Sequence, residues 1–236
     1  WVNNETGAIQ NIRELKNIAA SNNVRWHCDA VQGIGKIPFD QDLLATDSFC
    51  FSGHKFGAPK GVGLVRLANP TAIEPLFWGG AQQDSIRPGT ESPELAASFT
   101  TALVDCVNSQ PEYQELNLKR RQQLLQLLDD SAVDYLLNTP ITDSIPNTLN
   151  LSFSNIDGRM LLPALDVEKI SISSGSACAS GAAAASSVLM ACGVNEKLAQ
   201  ASIRLSFVHN YSAQELEQGM GVFVKVLKAL YKVANP

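Results

Sequence analysis

Two side chains in this 236-residue sequence are of a type and setting to do covalent chemistry: the amine of Lys55 and the thiol of Cys178. Lys55 stands in Phe49-Cys-Phe-Ser-Gly-His-Lys-Phe-Gly-Ala-Pro, where a short apolar run reads as a buried strand and a Ser-Gly-His-Lys turn ends it. Open α/β sheets take ligands outside the carboxyl ends of their strands, so an amine at that point is placed to condense with a carbonyl compound. The bland alternative is a surface lysine in a glycine-rich turn. Cys178 lies in Ser173-Ser-Gly-Ser-Ala-Cys-Ala-Ser-Gly, a run of small residues that lets the backbone move and carry a thiolate nucleophile. Its alternative is an incidental buried cysteine at a helix start.

Other residues converge on the lysine. Asp29 ends the strand-like stretch Val24-Arg-Trp-His-Cys-Asp and is expected to be buried one strand away from Lys55. A carboxylate buried there needs a cationic partner, and a protonated pyridine nitrogen is one, which makes pyridoxal phosphate the candidate cofactor. Taken alone, Asp29 reads as the cap of the Ala30-Val31-Gln32 turn. Gln32 is placed to donate to the ring's phenolic oxygen, and Ser52 and His54 to bind a phosphate. His27, in an apolar strand, reads as a buried structural histidine.

Composition sets the outer limits. With 45% hydrophobic and 17% charged residues the chain can bury a real core, and a net charge of −5 with scattered basic residues argues against a nucleic-acid partner. The densest basic run, Lys119-Arg120-Arg121, reads as a solvated helix face. No apolar run approaches membrane-spanning length, and no metal ligand set stands out. The five cysteines are odd in number and lack a CxxC pair, which fits a reducing, cytoplasmic compartment; Cys28, Cys50, Cys106 and Cys192 read as small buried hydrophobes. The chain opens without methionine, on what looks like the end of a buried strand, and is expected to be a fragment.

The elements that position these groups alternate between strand and helix. Asn11 is a cap for a helix from Ile12 to about Ser21; Val24–Ala30, Phe49–Phe51 and Gly61–Leu67 read as strands. Residues 78–92 have no periodicity and read as a long functional loop. Ser92-Pro93-Glu94 opens a helix to about Asn108, and a second helix covers about Glu112 to Leu128. Strands at Asn147–Phe153, Lys169–Ser173 and Ser202–Val208 follow, with helices at Gly158–Leu165 and from Ser212 to about Val233. The expected class is α/β: residues 1–97 as part of a large domain with a mainly parallel sheet, and residues 98–236 as a smaller α+β domain carrying the cysteine loop.

In order and spacing, Val2-Asn-Asn-Glu-Thr-Gly, His27-Cys-Asp-Ala-Val-Gln, Phe51-Ser-Gly-His-Lys, Arg87-Pro-Gly-Thr90 and Ser173-Ser-Gly-Ser-Ala-Cys178 resemble the cysteine desulfurases. These are pyridoxal-phosphate enzymes of the class V aminotransferase group, and the long small-residue loop resembles their iron–sulfur assembly branch. The family's chains extend further at the N-terminus. The resemblance implies that Lys55 binds the cofactor covalently, that Asp29 pairs with its ring nitrogen, and that Gln32 and Asn4 lie at the phenolic oxygen and the substrate. It places Ser52 and His54 on the phosphate and has Thr90 reach the cofactor of a second subunit in a homodimer. Arg204 would grip the substrate carboxylate, and Cys178 would take sulfur from L-cysteine as a persulfide for an iron–sulfur scaffold or sulfur carrier. Two other readings stay open: a different class V transferase or lyase in which Cys178 is a bystander, and a non-catalytic subunit pairing with a full-length desulfurase.

Overall fold

The computed structural model describes residues 1–174, 185–208 and 211–234. The chain forms two compact units, Trp1–Val2 with Ile9–Pro111, and Asn3–Ala8 with Glu112–Pro236.

In the first unit, helix α1 (Ile12–Ser21) starts where Asn11 accepts from the Glu14 amide. A three-stranded sheet follows, β1 (His27–Asp29), β2 (Ser48–Ser52) and β3 (Gly63–Leu67). Where a mainly parallel sheet is expected, one of the two pairings is antiparallel: β1 and β2 run parallel, β2 and β3 antiparallel. The connection from β2 to β3 is a 3-10 turn (Gly53–Lys55) and a glycine-rich loop, too short for the crossover helix that a parallel return needs.

Phe49 and Phe51 of β2 and Cys28 of β1 face a core with Ile12, Leu43 and Phe99. Phe99 comes from α2 (Pro93–Asn108), which Ser92 caps by accepting from the Leu95 amide. Its ring stacks on Phe51 at 5.7 Å between centroids and meets Phe56 edge-on at 5.2 Å. Helix α2 therefore lies wholly in the first unit, and the division of the chain falls at Pro111.

The second unit holds a fully antiparallel four-stranded sheet in the order β4 (Tyr135–Leu137), β5 (Thr148–Phe153), β7 (Ser202–Ser206), β6 (Ser173–Ser174). The strand expected over 169–173 is reduced to this two-residue β6. Leu149, Leu151, Phe153 and Ile203 pack against three helices: α3 (Gln110–Asp129) through Leu124 and Leu128, α4 (Gly158–Val167) through Leu161 and Leu165, and α7 (Ala213–Ala234) through Phe223 and Leu227. Two short helices, α5 (Ser187–Ala191) and α6 (Glu196–Gln200), precede β7.

The Lys119-Arg120-Arg121 run divides. Lys119 is exposed, whereas Arg120 and Arg121 are each 7% exposed. Arg120 turns inward on the helix face of Tyr113 and Asn117 and donates to the carbonyls of Val208 (3.3 Å) and Tyr211 (3.4 Å). Arg121 donates to Ser144 Oγ and the Pro140 carbonyl, both at 2.8 Å. Burial holds both guanidiniums below their usual pKa.

The Phe51–Phe99–Phe56 cluster is the joint between sheet and helix in the first unit. Phe99→Ala is expected to destabilise that unit by about 3–5 kcal/mol, read as a lower urea midpoint.

Candidate active site

In the first unit, parallel pairing sets one group of candidate residues. Asp29 lies opposite Cys50, and the amide of Ala30 continues the ladder to the Cys50 carbonyl at 2.9 Å, so β1 and β2 end side by side. Asp29 and Gln32 leave one strand end, and Ser52, His54 and Lys55 leave the other. Ser52 Oγ and His54 Nδ1 share a hydrogen bond of 2.8 Å. Gly53 between them is fixed by space: a Cβ there would lie 2.9 Å from both Ala58 Cβ and Phe99 Cδ2. Lys55 is exposed, and among the described residues no acceptor holds its Nζ.

Three expectations are corrected. Asp29 is exposed, not buried, because the strand's alternation turns Cys28 to the core and Asp29 to the opposite face. Its Oδ1 accepts from the Val31 amide at 2.9 Å, so it does cap the following turn while its charge faces outward. His27, on that same face, is exposed; its Nδ1 lies 2.8 Å from Ser48 Oγ and its Nε2 3.5 Å from Cys50 Sγ. Of the four cysteines read as buried, Cys28 is buried, Cys50 and Cys106 are half-buried and Cys192 is exposed.

Gln32 has a partner that the sequence reading missed. Lys36 Nζ donates to its Oε1, which fixes the amide and turns its NH₂ group to serve as the donor. The i, i+4 spacing was the available signal.

In the second unit, a separate group of candidate residues lies on the polar face of the four-stranded sheet. There Arg204 of β7 sits between Asn150 of β5 and Ser173 of β6 in register. Its Nη1 donates to the Asn4 carbonyl at 2.9 Å and its Nη2 to Ser173 Oγ at 3.4 Å. The turn bearing Asn4 is closed by Asn3 Oδ1, which accepts from the amides of Glu5 and Thr6 at 2.9 and 2.8 Å. Arg204 and Asn4 are thus brought together, with the backbone of Asn4 in contact and its side chain exposed.

Thr90 is exposed in the loop before α2, in an open pocket of about 850 Å³ with Gln82, Gln83, Asp84 and Glu91. Gln83 Nε2 donates to Glu91 Oε1 at 2.6 Å, and the Gly89 amide to Gln82 Oε1 at 3.2 Å, so hydrogen bonds hold the loop. Cys178 lies outside the described residues.

The class-V aminotransferase model matches residues 1–218. The chain belongs to the class-V aminotransferase family. Among its relatives, the cysteine desulfurase IscS of Dictyoglomus turgidum is 33% identical over 232 residues, covering 98% of this chain and 59% of that protein. The cysteine desulfurase of Homo sapiens is 34% identical over 236 residues, covering 99% of this chain and 51% of that protein. A solved NifS-like protein superposes with a TM-score of 0.86 at 33% identity, over 97% of this chain and 60% of its own. A NifS-like protein from Rickettsia africae superposes at 0.83 with 28% identity, over 98% of this chain and 60% of its own. This class-V chain therefore spans between half and three-fifths of the length of these relatives.

Every site residue named from the sequence falls inside the matched class-V span. Cys50 reports on the charge of Asp29: burial first, and then that carboxylate, push its thiol above the ordinary range. Alkylation of Cys50 is expected to rise with pH at a midpoint above that of a free thiol, and Asp29→Asn is expected to lower the midpoint. An unchanged midpoint would show that the carboxylate's field does not reach that face of the sheet.

Proposed function

We propose that this chain carries part of a pyridoxal-phosphate-dependent cysteine desulfurase, which converts L-cysteine to L-alanine and receives the sulfur as a persulfide on Cys178. The observation that carries the reading is the meeting, at adjacent ends of two parallel strands, of an oriented carboxylate, an oriented amide donor, a serine–histidine pair and an unheld lysine amine. The names of the relatives supply the reaction class.

The residues present fit the cofactor. Asp29 presents an outward carboxylate to hold a proton on the ring nitrogen. Gln32 offers its NH₂ group to the phenolic oxygen, Ser52 and His54 are spaced to meet a phosphate together, and Lys55 offers its amine to the aldehyde. When bound, the cofactor supplies an electron sink for charge developing at the substrate's α-carbon.

The remaining steps belong to side chains. Arg204, half-buried and oriented by neutral oxygens, offers its guanidinium fork to the carboxylate of L-cysteine, with Asn4 beside it on the substrate side. The Cys178 thiolate attacks the substrate sulfur: a sulfur–sulfur bond forms as the Cβ–S bond breaks, and the electron pair stays on the carbon skeleton, which is protonated to alanine. The persulfide then passes to an iron–sulfur scaffold or sulfur-carrier protein in a reducing, cytoplasmic compartment.

Pairing with a second copy fits the exposed run Leu76, Phe77 and Trp78, which stands 89, 69 and 84% exposed just before the Thr90 loop. No helix among the described residues is long and apolar enough to cross a membrane.

The test is a visible spectrum of the purified chain with pyridoxal phosphate, before and after L-cysteine, with mass spectrometry of Cys178. A lysine-linked band that shifts on L-cysteine and a sulfur adduct on Cys178 are expected. Lys55→Ala is expected to abolish the band; a retained lysine-linked chromophore would sink the assignment. Cys178→Ser is expected to keep the band and remove sulfur transfer, and undiminished alanine and sulfide formation would remove Cys178 from the mechanism.

A further inference from the structure

The bonds that hold Arg204 lead to a side chain with no role above, Glu5. Its carboxylate accepts from Ser186 Oγ. That hydroxyl is 2% exposed, and it also accepts from the Leu189 amide at 3.1 Å, capping α5. The backbone carbonyl of Glu5 accepts from Asn150 Nδ2 at 3.3 Å, and Asn150 is the register neighbour of Arg204 on β5. One residue back, the Asn4 carbonyl accepts from Arg204 itself. The path from Asn4 to Glu5, Asn150 and Arg204 and back to Asn4 is a closed ring, and the Glu5 carboxylate is its tie to a second element.

A bond to an ionised acceptor is about twice as strong as a neutral one. Without it, a buried serine hydroxyl loses its acceptor, and the Asn3–Ala8 turn loses its link to α5.

We infer that Glu5 is a positioning residue for Arg204: by holding Ser186, its carboxylate pins the turn whose Asn4 carbonyl orients the guanidinium. Only the consequence for substrate rests on the reading of Arg204 as the carboxylate grip. The orientation itself does not.

The test joins two measurements on the whole chain. Arginine side-chain NMR with ¹⁵N label reads the Arg204 guanidinium, its signal assigned by loss in Arg204→Lys; titration of the cofactor-loaded chain with L-alanine reads the grip. Glu5→Ala and Ser186→Ala are each expected to shift the Arg204 signal and speed exchange of its Nη protons. Glu5→Gln, which keeps an acceptor oxygen, is expected to restore most of the original signal. The dissociation constant for L-alanine is expected to rise about fivefold in both alanine variants, the scale of one hydrogen bond.

If Glu5→Ala fails to fold, Glu5→Met, which fills the space without an acceptor oxygen and leaves the Ser186 cap of α5 in place, decides the matter by the same Arg204 signal. An unchanged Arg204 signal in the alanine variants overturns the inference, whatever the affinity. A shifted signal with L-alanine affinity indifferent to Arg204→Lys upholds the positioning and overturns the carboxylate grip.

Discussion

The second unit depends on one amide. Asn150 is completely buried in β5, between β4 and β7 of a four-stranded sheet, and a buried amide without partners costs a few kcal/mol. Its Oδ1 accepts from Asn138 Nδ2 at 2.7 Å, its backbone amide donates to Thr139 Oγ1 at 2.8 Å, and its Nδ2 donates to the Glu5 carbonyl. The last bond spans 145 positions of sequence. It brings the Asn-Glu-Thr-Gly turn onto the polar face of the sheet, where Gly7 takes the left-handed φ of +76° that favours glycine, and a Cβ there would press on Ile145 Cγ1 at 3.1 Å. The apolar face needs only helices to cover it. The polar face needs a covering of matched donors and acceptors, and that covering is also what presents Asn4 to Arg204.

The first unit meets a different constraint. Parallel β1 and β2 pair residues 21 positions apart in sequence, such as Asp29 and Cys50, without long side-chain contacts. The chemistry gathers at the strand ends because the strands' interior is taken by Phe49, Phe51 and Cys28. Gly53 allows Phe99 to approach the turn closely, so the helix that completes the core also fixes the backbone that bears Ser52 and Lys55.

This contrast explains what was legible in the sequence. Caps and periods are local, so Asn11, Ser92 and the ends of α1 and α2 could be read directly. The Ser-Gly-His-Lys turn was legible for the same reason. Exposure was not: β1 alternates, but nothing within Val24–Asp29 says which face meets the core, and Asp29 and His27 were assigned the wrong one. Arg120 and Arg121 were misread because their partners are carbonyls of residues 140, 208 and 211, to which no sequence pattern points. Ser186 and Glu5 are 181 positions apart, and only the folded sheet makes them a pair.

Three arginines in the second unit end on neutral oxygens, and their surroundings separate their roles. Arg120 and Arg121 reach carbonyls deep in the unit, and burial opposes their charge, so their bonds serve to close loops. Arg204 makes the same kind of bonds but lies half-exposed on the polar face, with an exposed asparagine side chain beside it. A guanidinium carries five donors in a rigid fork. Two of them orient Arg204 on Asn4 and Ser173, and among the described residues no acceptor holds the others. Equal bonds thus close loops where Arg120 and Arg121 are buried and leave Arg204 open to solvent, as its proposed place at a substrate carboxylate needs.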